Sequence, residues 1–287
     1  MNFKKLIISS LLFSLVAISF SCATLQDMAK TQKPTVSIVD FNLTNFSLQD
    51  VELTFDMEVD NPNPFAVTLA NYDYDLQFNA LSFVKGKQTT NSSVKANTKS
   101  IVQIPVSFGF QELYELFGSL KDKDDTEFTF AANAGVEAPV LGLISIPFSK
   151  TGTLPVVKLP SIKVGGLKLA NISLTKADFE IELDIENPNG FNLNFNELSY
   201  DLAFNGLPAL TGKSNASIDV AKKSTSSITL PLSVNLFQLG ASAKKAIIDG
   251  EAFSYSLTGK TDVGSSLPFF KTSTFNFDRD GVVPILK

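Results

Sequence analysis

VELTFDMEVDNPNPF at residues 51–65 and ADFEIELDIENPNGF at residues 177–191 carry one pattern twice, at a spacing of 126 residues. In the first stretch Val51, Leu53, Phe55, Met57 and Val59 alternate with Glu52, Thr54, Asp56 and Glu58. In the second, Ala177, Phe179, Ile181, Leu183 and Ile185 alternate with Asp178, Glu180, Glu182 and Asp184. Alternation of period two puts one face of a strand in a core and the other in water. Each strand then runs into Asn-Pro-Asn and, two residues later, Phe. The chain is a tandem repeat of one β-rich module, so its function has to be legible in a unit that occurs twice. That excludes many single-site enzymes.

The two copies stay in register on both sides of this stretch. Val36, Ile38, Phe41 and Leu43 correspond to Ile162, Val164, Leu167 and Leu169. Tyr72, Tyr74, Leu76 and Phe78 correspond to Leu198, Tyr200, Leu202 and Phe204, and Val102, Ile104, Val106 and Phe108 to Ile228, Leu230, Leu232 and Val234. Pro105 and Pro231 interrupt this last strand at equivalent places. Proline cannot donate to a ladder, so the strand is expected at a sheet edge or at a bulge. Phe110, Leu113, Phe117 and Leu120, and in the second copy Leu236, Leu239, Ala243, Ala246 and Ile247, recur at helical spacing. They predict one short amphipathic helix per module, its apolar stripe covering an open end of the strands. Strands resume at Phe128 and Phe130, matching Phe253, Tyr255 and Leu257, and again near Ile146 and Leu267. The reading is all-β: two tandem antiparallel β-sandwiches of about seven strands each, with one short helix per domain. The domains are placed at residues 35–155 and 161–287, joined by a short apolar linker with two prolines.

The amino terminus is of a different kind. Lys4 and Lys5 precede an apolar run from Leu6 to Phe20, and Ser21 precedes the only cysteine, Cys22. A basic start, a short apolar segment and a small residue at the cut mark a secretory signal peptide at residues 1–21. The run falls short of the roughly 20 residues of a membrane-spanning helix. The segment resembles a bacterial lipoprotein signal, which implies thioether-linked diacylglycerol on Cys22; an uncleaved anchor and plain secretion stay open as alternatives. Residues 22–34 read as a flexible tether. The implied place is the bacterial cell envelope, lipid-anchored, with the outer membrane (periplasmic face or surface) favoured by Ala23 after the cysteine.

The Asn-Pro-Asn positions have a local reading. The residue before proline is pushed out of the helical region, so Asn61 and Asn187 carry their strands to the end. Pro62 and Pro188 remove a donor and stop the ladder. Asn63 and Asn189 are expected to bond their own backbone in an Asx-type turn, and Phe65 and Phe191 to return the chain to the core. A structural role is expected for all eight residues. An acidic residue followed by Asn-Pro-Asn and Phe after an alternating strand resembles the WHy domain of the late embryogenesis abundant group 2 (LEA_2) proteins, a water-stress and hypersensitive-response domain. Supporting it are Tyr-Asp-Leu-x-Phe-Asn at Tyr74 to Asn79 and Tyr200 to Asn205, and Gly-Lys at Gly86-Lys87 and Gly212-Lys213. The resemblance implies a sandwich like fibronectin type III and a desiccation or osmotic-stress role.

Composition narrows the chemistry. There is no histidine, which removes Ser-His and Cys-His nucleophile pairs and the commonest metal ligand. Asp278-Arg279-Asp280-Gly281 lacks the third oxygen residue and closing glutamate of a calcium loop and reads as a plain turn. With 24 basic against 29 acidic residues and no basic block, binding to nucleic acid is not expected. Nor is a polybasic grip on anionic lipid. No cofactor, metal or enzymatic activity is expected. The partners expected are the membrane, through the N-terminal lipid, and an envelope protein or an apolar ligand. Binding or transfer of a lipid is the alternative function, motivated by 25 phenylalanines that otherwise simply fill two cores.

Overall fold

The computed structural model describes residues 31–139, 141–204 and 210–286; of Ala243 only the backbone is described. The leader, Cys22, most of the tether and Asn205 lie outside the described residues. In the first repeat the strands are β1 (Thr35–Phe46), β2 (Asp50–Asn61), β3 (Val67–Phe78), β4 (Leu81–Val94), β5 (Thr98–Gly109), β6 (Asp125–Ala138) and β7 (Gly142–Pro155). They form two sheets, β1-β2-β5 and β4-β3-β6-β7. The second repeat has β8 (Ser161–Ile172), β9 (Lys176–Asn187), β10 (Leu193–Phe204), β11 (Leu210–Ser214), β12 (Ile218–Val220), β13 (Ser224–Asn235), β14 (Phe253–Ser265), β15 (Ser273–Val283) and the short β16 (Ile285–Leu286). Here the sheets are β13-β9-β8-β16 and β11-β10-β14-β15, with β12 also on β10. Each repeat is an antiparallel sandwich, except that β16 joins β8 in parallel.

The alternation that defines β2 and β9 appears directly as burial. Val51, Leu53, Phe55, Met57 and Val59 are fully enclosed, as are Ala177, Ile181, Leu183 and Ile185, while their charged neighbours face solvent or lie half-buried. The facing sheet supplies the other half of each core. Phe55 of β2 stacks on Phe130 of β6 at 4.0 Å, and Phe41 and Phe128 meet edge to face at 5.2 Å. Such aromatic pairs add about 0.5–1.5 kcal/mol beyond the area they bury. With a lone cysteine, burial has to hold these cores together. Pro105 and Pro231 lie in β5 and β13, each outermost in its sheet, where a missing N–H need not be matched by a second neighbour.

Three details differ from the expectation. Each predicted helix is two pieces: α1 (Phe110–Leu116) followed by a 3-10 turn at Gly118–Asp122, and a 3-10 turn at Leu236–Gln238 followed by α2 (Ala241–Asp249). The first breaks because Phe117 leaves the helical region at φ −128°. The second breaks at the extended Leu239, and α2 ends on Gly250 in the left-handed conformation at φ 74°. Leu267 lies in a connection, not a strand; the last long strand is β15, whose buried residues are Phe275, Phe277 and Val283. Strand register also pairs Phe78 with Phe128 and Phe204 with Tyr255, making Phe128 equivalent to Tyr255 and not to Phe253.

The chain divides into two compact units. One comprises Leu53–Val106, Glu127–Thr153 and the described residues up to Asn42. The other comprises Leu43–Glu52, Ser107–Thr126 and Leu154–Lys287, and so gathers the hairpin turn and helical segment of the first repeat with the second repeat.

Candidate functional site

Asn61, the last residue of β2, has no exposed surface. Its Nδ2 donates to the carbonyls of Phe65 (2.8 Å), Lys95 (3.0 Å) and Val94 (3.3 Å). Its Oδ1 accepts from the N–H of Asn63 at 3.1 Å and from Asn63 Nδ2 at 3.1 Å. Asn63 then reaches the chain arriving at the module: Nδ2 donates to the Gln32 carbonyl (2.9 Å) and Oδ1 accepts the Gln32 N–H (2.8 Å). The second repeat reproduces every bond. Asn187 donates to Phe191, Ala221 and Val220 and accepts from Asn189, which clasps Lys158 through 2.9 and 2.7 Å bonds. The Asx-type bond therefore belongs to Asn61 and Asn187, a correction to the expectation. Asn63 and Asn189 are two-point clasps on an incoming backbone, because a primary amide presents the same donor–acceptor pair as a peptide. Pro62 and Pro188 are half-buried between them; Phe191 is buried and Phe65 half-buried.

The same strands end, at the other pole, in a hairpin turn. Ser47 Oγ accepts the N–H groups of Gln49 (3.2 Å) and Asp50 (3.0 Å); Ser173 Oγ accepts those of Thr175 (3.4 Å) and Lys176 (3.0 Å). The helical segment docks on each turn identically, by Phe110 N–H to Gln49 O and Leu236 N–H to Thr175 O, both 2.9 Å. On this shared backbone the side chains fare differently. Phe46 and Leu48 are 0% and 2% exposed, whereas their counterparts Ile172 and Leu174 are 45% and 94% exposed, and Phe237 beside them 72%. The cover over the first pole lies within the second compact unit: Phe269 and Phe270 meet Phe46 edge-on at 5.3 and 5.9 Å, and Lys271 N–H donates to Phe46 O at 2.7 Å. Nothing in the sequence alone separated Leu48 from Leu174.

Beside α1 opens a cavity of about 850 Å³ whose apolar wall is Leu48, Phe110, Tyr114, Val157 and Leu159. The Tyr114 hydroxyl donates to the Val157 carbonyl, and burial pushes its pKa well above the ordinary phenol value, so it stays a neutral donor. Close by, Lys223 and Lys158 both bond Asp124, and the Lys223 contact foremost holds its carboxyl below the usual range. Burial lowers the Lys158 amine, while the Asp124 bond raises Lys223. These ion pairs tie the loop before β6 to the linker and to the turn before β13. Among the described residues no group of three or more acidic or cysteine side chains is placed to hold a metal. Nor is any described helix long and apolar enough to cross a membrane.

The Gly-Lys pairs find their reason here too. Gly86 faces Tyr74 and Gly212 faces Tyr200 across the ladder. A Cβ on either glycine would come within 2.3 Å of the tyrosine ring carbon Cζ. The glycine leaves room for the ring to lie over its strand.

Comparison with known proteins gives a consistent picture. The model of the late embryogenesis abundant protein family LEA_2 matches residues 56–152 and 182–281, one match on each repeat. The late embryogenesis abundant protein Lea14-A of Gossypium hirsutum is 23% identical over 135 residues, 47% of this chain and 87% of its own. The desiccation protectant protein Lea14 homolog of Glycine max is 24% identical, over 45% and 84%. A solution structure of an Arabidopsis thaliana protein is similar at 21% identity and a TM-score of 0.39, covering 45% of this chain and 88% of that one.

Proposed function

Because the chain belongs to the late embryogenesis abundant protein family LEA_2, we propose that it is a non-catalytic envelope protein that protects or supports its surroundings under desiccation or osmotic stress. The observation that carries this reading is that the family match falls on both repeats. In each, the signature residues are consumed by internal hydrogen bonds and not presented to a substrate. A packed sandwich cannot act as a disordered hydrophilic protectant does, so its effect runs through surface and partner contacts. Cys22 carries thioether-linked diacylglycerol in this reading and holds the protein at the outer membrane, on its periplasmic face or the cell surface.

Two measurements test the proposal. Radiolabelled palmitate is expected to enter the wild type and not Cys22→Ala, with the variant lost from the membrane fraction; label in both, or in neither, removes the anchor. A deletion strain is expected to survive drying and osmotic shock less well than its parent, and unchanged survival removes the stress role.

A second reading, binding or transfer of a lipid or other apolar molecule, is favoured by the cavity beside α1. Native mass spectrometry of membrane-extracted protein then shows a co-purifying lipid besides any anchor, and its absence discards this reading.

A further inference from the structure

The hairpin–helix pole of the first repeat is sealed by chain from the second, and the seal is proteinaceous in kind: two phenylalanine rings and one backbone hydrogen bond on Phe46. The loop that supplies it, residues 266–272, follows β14 and stands beside the Asn-Pro-Asn turn of the second repeat, where Phe270 also meets Phe191 at 6.1 Å. One kind of pole thus receives the other kind. Two poles have no such seal among the described residues. The hairpin–helix pole of the second repeat exposes Ile172, Leu174 and Phe237. At the Asn-Pro-Asn pole of the first repeat Phe65 is only half-buried, and Leu141, just before β7, and Leu143, its second residue, are 43% and 64% exposed. Strand register puts the end of β6 next to the start of β3, so the strand end at Ala138 and Phe65 belong to one pole.

We propose that these two poles are the halves of one interface between copies of this chain. The hairpin–helix pole of the second repeat docks on the Asn-Pro-Asn pole of the first repeat in a second copy, continuing from chain to chain the contact made once within it. Such a contact is heterologous: its two halves are different surfaces, so it builds either a closed ring or an open row. Large apolar groups exposed together on a folded protein mark interaction sites. The backbone scaffold that carries Ile172 is the one that, at the first repeat, already accepts a protein cover over Phe46. The inference names the partner left open by the functional reading above, and it rests on neither Cys22 nor a stress role.

The test uses the full chain in density-matched detergent, so that an acyl anchor adds no association of its own, and reads mass by analytical ultracentrifugation. The wild type self-associates with concentration. Leu174→Asp, altered at one pole, and Leu143→Asp, altered at the other, each weaken association at least about tenfold. Both positions are exposed, so unchanged circular dichroism and unfolding midpoints are expected, and Leu174→Ser and Leu143→Ser replace any variant that fails this check. An equimolar mixture of the two variants recovers one intact contact and stops at two chains. A wild type that stays monomeric overturns the proposal. So does a Leu143→Asp protein that still pairs with itself, which means like poles meet. Leu174-dependent flotation with phosphatidylethanolamine–phosphatidylglycerol vesicles, without self-association, assigns the pole to a lipid surface and overturns it too. A normal result for palmitate or survival changes none of these outcomes.

Discussion

Phe46 and Ile172 occupy equivalent places at the ends of β1 and β8, above identical serine turns and identical helix docks, yet one is sealed and the other is 45% exposed. Leu48 and Leu174, two residues on, repeat the contrast. The repeat fixes the backbone at each pole; what lies over it fixes whether an apolar side chain is core or surface. Equivalent residues in a duplicated fold are therefore not equivalent in energy, and the difference is a measure of what each pole contacts.

The largest expected effect breaks the contrast directly. Phe46→Ala removes a ring packed against three others and should cost about 3–5 kcal/mol, while Ile172→Ala should change stability by no more than about 0.5 kcal/mol. Denaturant unfolding of both variants checks this, and similar losses would mean the poles are covered alike. The next comparison should show no asymmetry. Asn61→Ala and Asn187→Ala each strand buried carbonyls and the N–H two residues on, and each is expected to cost about 2–3 kcal/mol. A large cost at one alone would mean the two clasps are not the same device. Smaller again are Gly86→Ala and Gly212→Ala, which force Tyr74 and Tyr200 off their strands at about 1–3 kcal/mol each. Near-ultraviolet circular dichroism of the tyrosines should report the shift.

The smallest effect lies in the ion pairs of Asp124. The Lys223 and Lys158 ammonium groups lower the Asp124 carboxyl, so its contribution is present above the ordinary carboxylate range and is lost as pH falls through its lowered folded value. Asp124 is half exposed, which limits the gain to a few tenths of a kcal/mol. Asp124→Asn should be slightly less stable than wild type at neutral pH and equal to it below the carboxylate range. A difference that persists at low pH would place the effect elsewhere.

Much of the fold is written in local pattern. The alternation at Val51–Val59 gave β2 its buried face, and the prolines at 105 and 231 gave β5 and β13 their outer places. Other parts have no such signature. β4 runs Leu81–Val94 through Gly86, Lys87 and five hydroxyl residues without alternation, because an outermost strand with both faces largely wet needs none. The break at Phe117 and the extended Leu239 are invisible to a helical periodicity that runs through both. At the Asn-Pro-Asn turns the strand end was legible, but the clasp was not. Its partner is the backbone of Gln32 or Lys158, and a backbone partner 31 residues away leaves no residue preference behind. The sealed and open poles were equally hidden, since Leu48 and Leu174 both follow Asn-x-Ser in an apolar strand end, and the rings of Phe269 and Phe270 that seal Phe46 come from a loop more than 200 residues away.

The most direct test of that central contrast is native-state thiol labelling in a Cys22→Ser background, with Leu48→Cys and Leu174→Cys compared against a maleimide. At concentrations low enough to keep the chain monomeric, a thiol at 174 is expected to react at the rate of an unfolded chain, and one at 48 to be protected on the order of a hundredfold, until local opening exposes it. Equal labelling rates at the two positions would contradict the account.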